Sequence, residues 1–275
     1  MEIWHRVFLH TSKEKFATTV RNLGIQYHES GMPGRKIQWM HFDIKESDPN
    51  WKIIAEFISK DGASDMCDTF FTDDEVRQAK WLRLVSAFEQ GYPQPKLNWP
   101  IKQQSYEEVC SSCGIYQQAY SYRIQKEPHL GKKSFMSPIW VGELFTTPEV
   151  ISKLNSIQTM GFDSWEVKIH KTNQASNLVR QLFVLNIAHP GLVVDNNMTR
   201  IDCKNCGTPK YYPHMKGKML IKRDVLSTDL DFIKTHEWFG SGLIAFREIL
   251  ISNRVAQLIL DEGWKGVRLK VVELV

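Results

Sequence analysis

Over residues 1–90 a two-residue rhythm of apolar positions alternates with stretches of helical spacing. Ile3–His10 is rich in strand formers. Thr11 and Glu14 have the spacing of a capping box, and Phe16, Val20 and Leu23 then recur along one helical face until Gly24 stops it. Ile25–Glu29 reads as a second strand, Ser30–Gly34 as a turn, and Ile37–Ile44 alternates as a third strand. Asp48-Pro49 opens a helix with the stripe Trp51, Ile54 and Ile58. Met66–Phe71 gives a fourth strand. Thr72 and Glu75 then cap a helix expected to run to about Glu89 through Val76, Ala79, Leu82 and Val85. The order strand-helix-strand-strand-helix-strand predicts a ferredoxin-like unit over 1–90.

Pro93, Pro95 and Pro100 crowd the next stretch, so 91–105 is expected to be an extended linker. Residues 106–275 form a second domain with a degenerate repeat, about 110–170 and 203–275. Glu143–Val150 aligns without gaps on Glu248–Val255, and the same offset of 105 carries Gly161-Phe162 onto Gly266-Val267. Each copy predicts a strand, a capping Thr147 or Ser252, a helix, a glycine and a last strand. The fold class expected is α+β.

Ahead of each copy stands a matching motif, Cys110-Ser-Ser-Cys113-Gly114 and Cys203-Lys-Asn-Cys206-Gly207, which together use four of the five cysteines. Two residues between cysteines let both sulfurs of one turn point at a single ion, and the glycine lets the backbone fold tightly behind them. Two such turns supply the four thiolates of a closed, zinc-ribbon-like site, with one structural Zn²⁺ per chain. Redox dithiols and an iron–sulfur cluster are the alternatives. The alternating Tyr116, Gln118, Tyr120 and Tyr122 after the first motif, and Pro209, Tyr211 and Tyr212 after the second, place both in strand or loop. A redox CxxC instead favours a helix N-terminus. A closed shell has no open position for substrate.

Two further groups carry candidate chemistry. Lys204, Lys210, Lys218, Lys222 and Arg223 gather near the second motif, with tyrosines interleaved, and could face nucleic acid. Their bland counterpart is a solvated hairpin rim. Asp229–Gly242 concentrates Lys234, His236, Glu237 and Trp238, a candidate binding surface. Spacing ties no nucleophile or second carboxylate to them, and no phosphate-loop, dinucleotide or metalloprotease motif occurs, so no enzyme is expected.

The formal charge of +4 is mild and falls further if four thiolates hold one Zn²⁺, so an anionic partner is not demanded. The N-terminal stretch shows no secretory h-region and no segment is apolar enough for a membrane helix. CxxC pairs in such a chain favour metal in a reducing cytoplasm.

Cys110, Cys113, Gly114, Cys203, Cys206 and Gly207, with the strand-cap-helix-strand units and the stretch Asp231, Phe232, Thr235, Glu237, Trp238, Phe239 and Gly240, resemble the bacterial double-CxxCG motif proteins. The similarity spans about residues 60–275 and leaves Ile3–Glu29 unassigned. Some of those proteins serve polymorphic-toxin systems as immunity proteins, the swarming-inhibition type among them. The resemblance implies four metal ligands, no catalytic residues, and a protein partner such as a cognate toxin. A nucleic-acid-binding zinc ribbon is the other reading.

Overall fold

A computed structural model of the chain describes residues 1–31, 38–95, 105–139, 142–226 and 229–275. It is a mixed α+β protein, with five α-helices among the described residues and a larger number of strands. Contacts divide it into two units, Met1–Thr72 with Met215–Gly217, and Asp73–His214 with Lys218–Val275.

The first unit runs β1 (Glu2–His10), α1 (Glu14–Asn22), β2 (His28–Gly31), β3 (Gln38–Lys45), α2 (Trp51–Asp61) and β4 (Ser64–Phe70). Its sheet has the order β2-β3-β1-β4 with every neighbouring pair antiparallel. Val7, Leu9, Met40, Phe42 and Ile44 point to one face and pack on Phe16, Val20 and Ile54 of the two helices. Strand alternation turns Trp39 to the opposite face, where it is exposed. The Thr11 hydroxyl donates to the Gln38 carbonyl (3.0 Å) rather than capping α1, and the second strand starts at His28 rather than Ile25. Met215–Gly217 joins this unit through Thr69, whose hydroxyl donates to the Met215 carbonyl and accepts from the Gly217 N–H.

The second unit begins with α3 (Asp73–Gln78) and β5 (Trp81–Ser86), where the sequence suggested one long helix within the first domain. The Asn253 side-chain amide donates to the carbonyls of Val76, Arg77 and Ala79 and closes α3. Trp81, Leu82, Arg83 and Leu84 are all buried because β5 is the middle strand of a sheet. A strand covered on both faces loses its alternation, and its apolar positions then mimic a helical stripe. Of the expected linker, residues 96–104 lie outside the described residues. Gly91 and Gln94 bond to Ile139 and Arg123 of the second unit.

After β5 come β6 (Tyr106–Cys110), β7 (Ile115–Gln118), β8 (Tyr122–Ile124), β9 (Phe135–Met136), β10 (Leu144–Thr146), α4 (Pro148–Ser156), β11 (Phe162–Ile169) and β12 (Ala175–Val184). Then follow β13 (Arg200–Asp202), β14 (Pro209–Tyr211), β15 (Met219–Ile221), β16 (Phe232–Lys234), β17 (Trp238–Phe239), β18 (Ile249–Ser252), α5 (Asn253–Asp261) and β19 (Val267–Leu274). Two five-stranded sheets result, β8-β11-β12-β10-β9 and β15-β19-β5-β18-β16. Each has one parallel edge pair, β8 with β11 and β15 with β19, followed by three antiparallel pairs. The buried residues of α4 (Val150, Ile151, Leu154) and α5 (Val255, Ala256, Ile259) correspond at the offset of 105. Among the described residues no helix is long and apolar enough to cross a membrane.

Candidate metal centre

Both CxxCG motifs form the turns of antiparallel hairpins, the first between β6 and β7, the second between β13 and β14. In each, the glycine N–H donates back to the carbonyl of the first cysteine, Gly114 to Cys110 at 3.1 Å and Gly207 to Cys203 at 2.8 Å. Both glycines have positive φ, +74° and +70°. At Gly114 a Cβ would also lie 1.8 Å from the Leu243 carbonyl oxygen, so no other residue fits.

The hairpins bring all four sulfurs within 4.8 Å of one another. Cys110 Sγ lies 3.8 Å from Cys203 Sγ, and Cys113 Sγ lies 3.8 Å from Cys206 Sγ. A tetrahedral metal with sulfur at about 2.3 Å has ligand–ligand edges of about 3.8 Å. The cluster is therefore able to hold a metal ion, and its dimensions fit a tetrahedral thiophilic one. Cys110 and Cys113 are buried, Cys203 is half-buried and Cys206 is exposed.

The surroundings treat the four thiols unequally. The Asn205 side-chain amide reaches Cys110 Sγ from the opposite hairpin (3.6 Å) and, with the Ser112 N–H, brings its pKa down to about 6. The Thr208 hydroxyl and N–H lower that of Cys206. Burial, together with the neighbouring cysteines and against the opposing Ile115 N–H, pushes Cys113 up to about 12. Four close thiolates without a cation repel, and Cys113 bears that conflict. A bound divalent ion removes it.

Ile115, Trp238 and Ala245 pack around the sulfurs. Lys210 is buried rather than exposed, and its ammonium donates to the carbonyls of Cys113 (2.7 Å), Gly242 (2.6 Å) and Ile244 (3.0 Å). It is therefore withdrawn from the expected phosphate-binding group. Lys204, Lys218, Lys222 and Arg223 are exposed.

The other candidate surface is broken up. Lys234 sits 3.3 Å from Glu143 and 5.5 Å from the Phe183 ring centre, half-buried. His236 alone is exposed. Glu237 is buried and accepts from the Val193 N–H, while its Oε2 finds no partner among the described residues. Trp238 is half-buried beneath the Arg247 guanidinium, 4.3 Å from its ring centre. Lys234 ends β16 and Trp238 opens β17, with His236 exposed and Glu237 buried between them, so the four do not share one face.

Sequence reasoning missed Asn205 and Lys210 as supports of the cluster. Asn205 was legible, since it lies between two ligands. Lys210 was not, because its direction depends on the loop Gly240–Ala245 folding over it. No protein-family model matches the chain, and no curated protein matches it either.

Proposed function

We propose that the chain is a non-catalytic binding protein built around one structural Zn²⁺ held by Cys110, Cys113, Cys203 and Cys206. The observation that carries it is the pair of 3.8 Å sulfur separations across the hairpins, the edge length of a tetrahedral zinc tetrathiolate. All four sulfurs are spoken for in such a site, which gives the ion a staple's role and no catalytic one. We read the compartment as the cytoplasm, because thiolate ligands call for a reducing environment. Metal analysis of purified protein should find one zinc per chain.

We read the first unit as ferredoxin-like, on the order and antiparallel pairing of β2-β3-β1-β4. We read the second as an old duplication. The support is the shared sheet order, and a register in which Gln181 lies opposite Phe145 and Trp165 just as Arg83 lies opposite Leu250 and Lys270. On that reading each copy opens with a long strand, β5 or β12, that is inserted into the other copy's sheet. The two motifs then meet at the metal as equivalents.

The partner is a protein, and the double-CxxCG resemblance makes a cognate toxin the first candidate. Co-expression with toxic products of adjacent genes tests this. Rescue of growth with a stable complex is expected, and absence of any toxic or bound neighbour removes the immunity role. The nucleic-acid reading retains four exposed cations, Lys204, Lys218, Lys222 and Arg223. It requires binding that weakens steeply as salt rises.

A further inference from the structure

Lys210 is 6% exposed, and its three N–H groups are fully used by three carbonyl oxygens. Those dipoles satisfy hydrogen bonds without cancelling a charge. Among the described residues, no carboxylate lies within ion-pair distance of it. Arg83, likewise buried, has Glu248 beside it. A buried ammonium without a counter-charge is strongly disfavoured.

The counter-charge is within reach. One carbonyl that Lys210 holds belongs to Cys113, a member of the four-sulfur cluster, so the ammonium stands beside the site. Burial lowers its pKa, and negative charge on Cys113 and Cys203 opposes that shift. Four protonated thiols carry no charge. Four thiolates around a divalent ion carry a net charge of −2, and only such a state answers the lysine. The matching position in the first hairpin is Gln117, which is exposed and neutral. The cation is therefore supplied from one side alone, where the Gly240–Ala245 loop covers the site.

We propose that Lys210 is the built-in counter-ion of the metal centre, a positioning residue whose fixed positive charge stabilises the divalent tetrathiolate. The inference rests on the metal reading above. It adds a long-range electrostatic role to a residue that could otherwise only pin a loop.

The test loads the full chain with Co²⁺, whose thiolate absorption reports the intact site, and measures affinity by competition with a chromophoric chelator. Lys210→Met removes the charge and the donors. Lys210→Gln removes the charge but keeps amide donors, and Lys210→Arg keeps the charge. The Met and Gln variants should both bind roughly 10–100-fold more weakly, with the tetrahedral Co²⁺ spectrum retained, and Arg should recover most of the loss. A Gln variant as tight as the parent would overturn the proposal, since donors alone would then suffice. So would an Arg variant as weak as Met, or failure of all three to fold with metal present, because the lysine would then be needed for its shape. A parent chain that binds neither Co²⁺ nor Zn²⁺ overturns the underlying metal reading instead.

Discussion

Gly161 and Gly266 hold the same backbone angle, φ +101° and +102°, just before the matching strands β11 and β19. Each is pressed against the other half. A Cβ on Gly161 would stand 2.2 Å from the Phe232 carbonyl oxygen, and one on Gly266 2.0 Å from that of Phe135. The contacts are reciprocal in their hydrogen bonds too. The Met160 carbonyl accepts from the N–H groups of Asp231 and Phe232, and the Lys265 carbonyl from those of Ser134 and Phe135. Both obstacles are backbone, so no rotamer change relieves them.

Gly161→Ala and Gly266→Ala should therefore each destabilise the protein by about 2–4 kcal/mol, from unfavourable φ and the carbonyl clash together. Chemical denaturation followed by circular dichroism measures this. Gly24→Ala offers the contrast, since its φ is also positive but nothing lies within 4 Å of its Cβ position. A loss about as large at Gly24 would show that φ alone, and not the exchange of backbone contacts, sets the cost.

Arg83 and Gln181 occupy equivalent places in the two sheets, and each faces the equivalent glutamate. Arg83 pairs with Glu248, both nearly inaccessible, and Gln181 donates to Glu143 at 3.1 Å. Glu248→Ala leaves a buried guanidinium unpaired and should cost about 3–5 kcal/mol. Gln181→Ala removes a bond to Gln118 and one to the Glu143 carboxylate, which keeps Lys234 as its ion-pair partner, and should cost about 1–2 kcal/mol. Equilibrium unfolding of the two variants distinguishes them, and equal losses would contradict a dominant role for charge.

His214 shares that buried network. Its Nδ1 faces the Arg83 guanidinium (3.4 Å) and must be an acceptor, so the proton sits on Nε2 and is donated to Asp195 (3.1 Å). Burial, and then Arg83, hold its pKa below the ordinary 6.5, against the opposite pull of Asp195. The unfolded chain therefore binds a proton before the folded one does as pH falls. Stability is complete above about pH 6.5 and declines below it, towards the lower folded pKa. Unfolding at about pH 7.5 and about pH 5.5 should show a larger acid loss in the parent than in His214→Gln. Identical losses would remove His214 from the acid response.

The helical faces and the cysteine pairs were legible in the sequence for a common reason. A stripe such as Val150, Ile151 and Leu154, or two cysteines with two residues between them, is a local pattern that needs no knowledge of the remaining chain. β5 was misread because both its hydrogen-bonded neighbours, β18 and β19, and the groups that pack on it, α5 among them, come from far along the chain. The offset of 105 revealed α4 and α5 but hid the rest of the correspondence. Phe135 and Phe232 are 97 apart because the Thr235–Arg247 loop lengthens the second copy, and the first cysteines of the two motifs are 93 apart because the stretch from Cys203 to Phe232 is also longer than that from Cys110 to Phe135. The inward turn of Lys210 is a product of that same loop.

Chelation should act on one unit and spare the other. The four sulfurs all belong to the second unit, where they join two hairpins that are also linked by Lys210 on the Cys113 carbonyl and Asn205 on Cys110. The first unit has its own core of Val7, Leu9, Phe16, Val20, Met40, Phe42, Ile44 and Ile54, with no part in the cluster. Stripping the metal, or replacing Cys113 by Ser, should cost the second unit several kcal/mol, since binding a structural ion is coupled directly to folding. Amide hydrogen exchange reads this by segment. Protection in β6, β7, β13 and β14 should collapse on chelation while that of β1 and β3 persists. Cys67→Ser serves as the control, since Cys67 lies in β4 of the first unit, outside the cluster, and should leave metal content unchanged. If the hairpins kept their protection after complete metal removal, packing by Ile115, Trp238 and Ala245 would be sufficient and the ion would not be what fastens them.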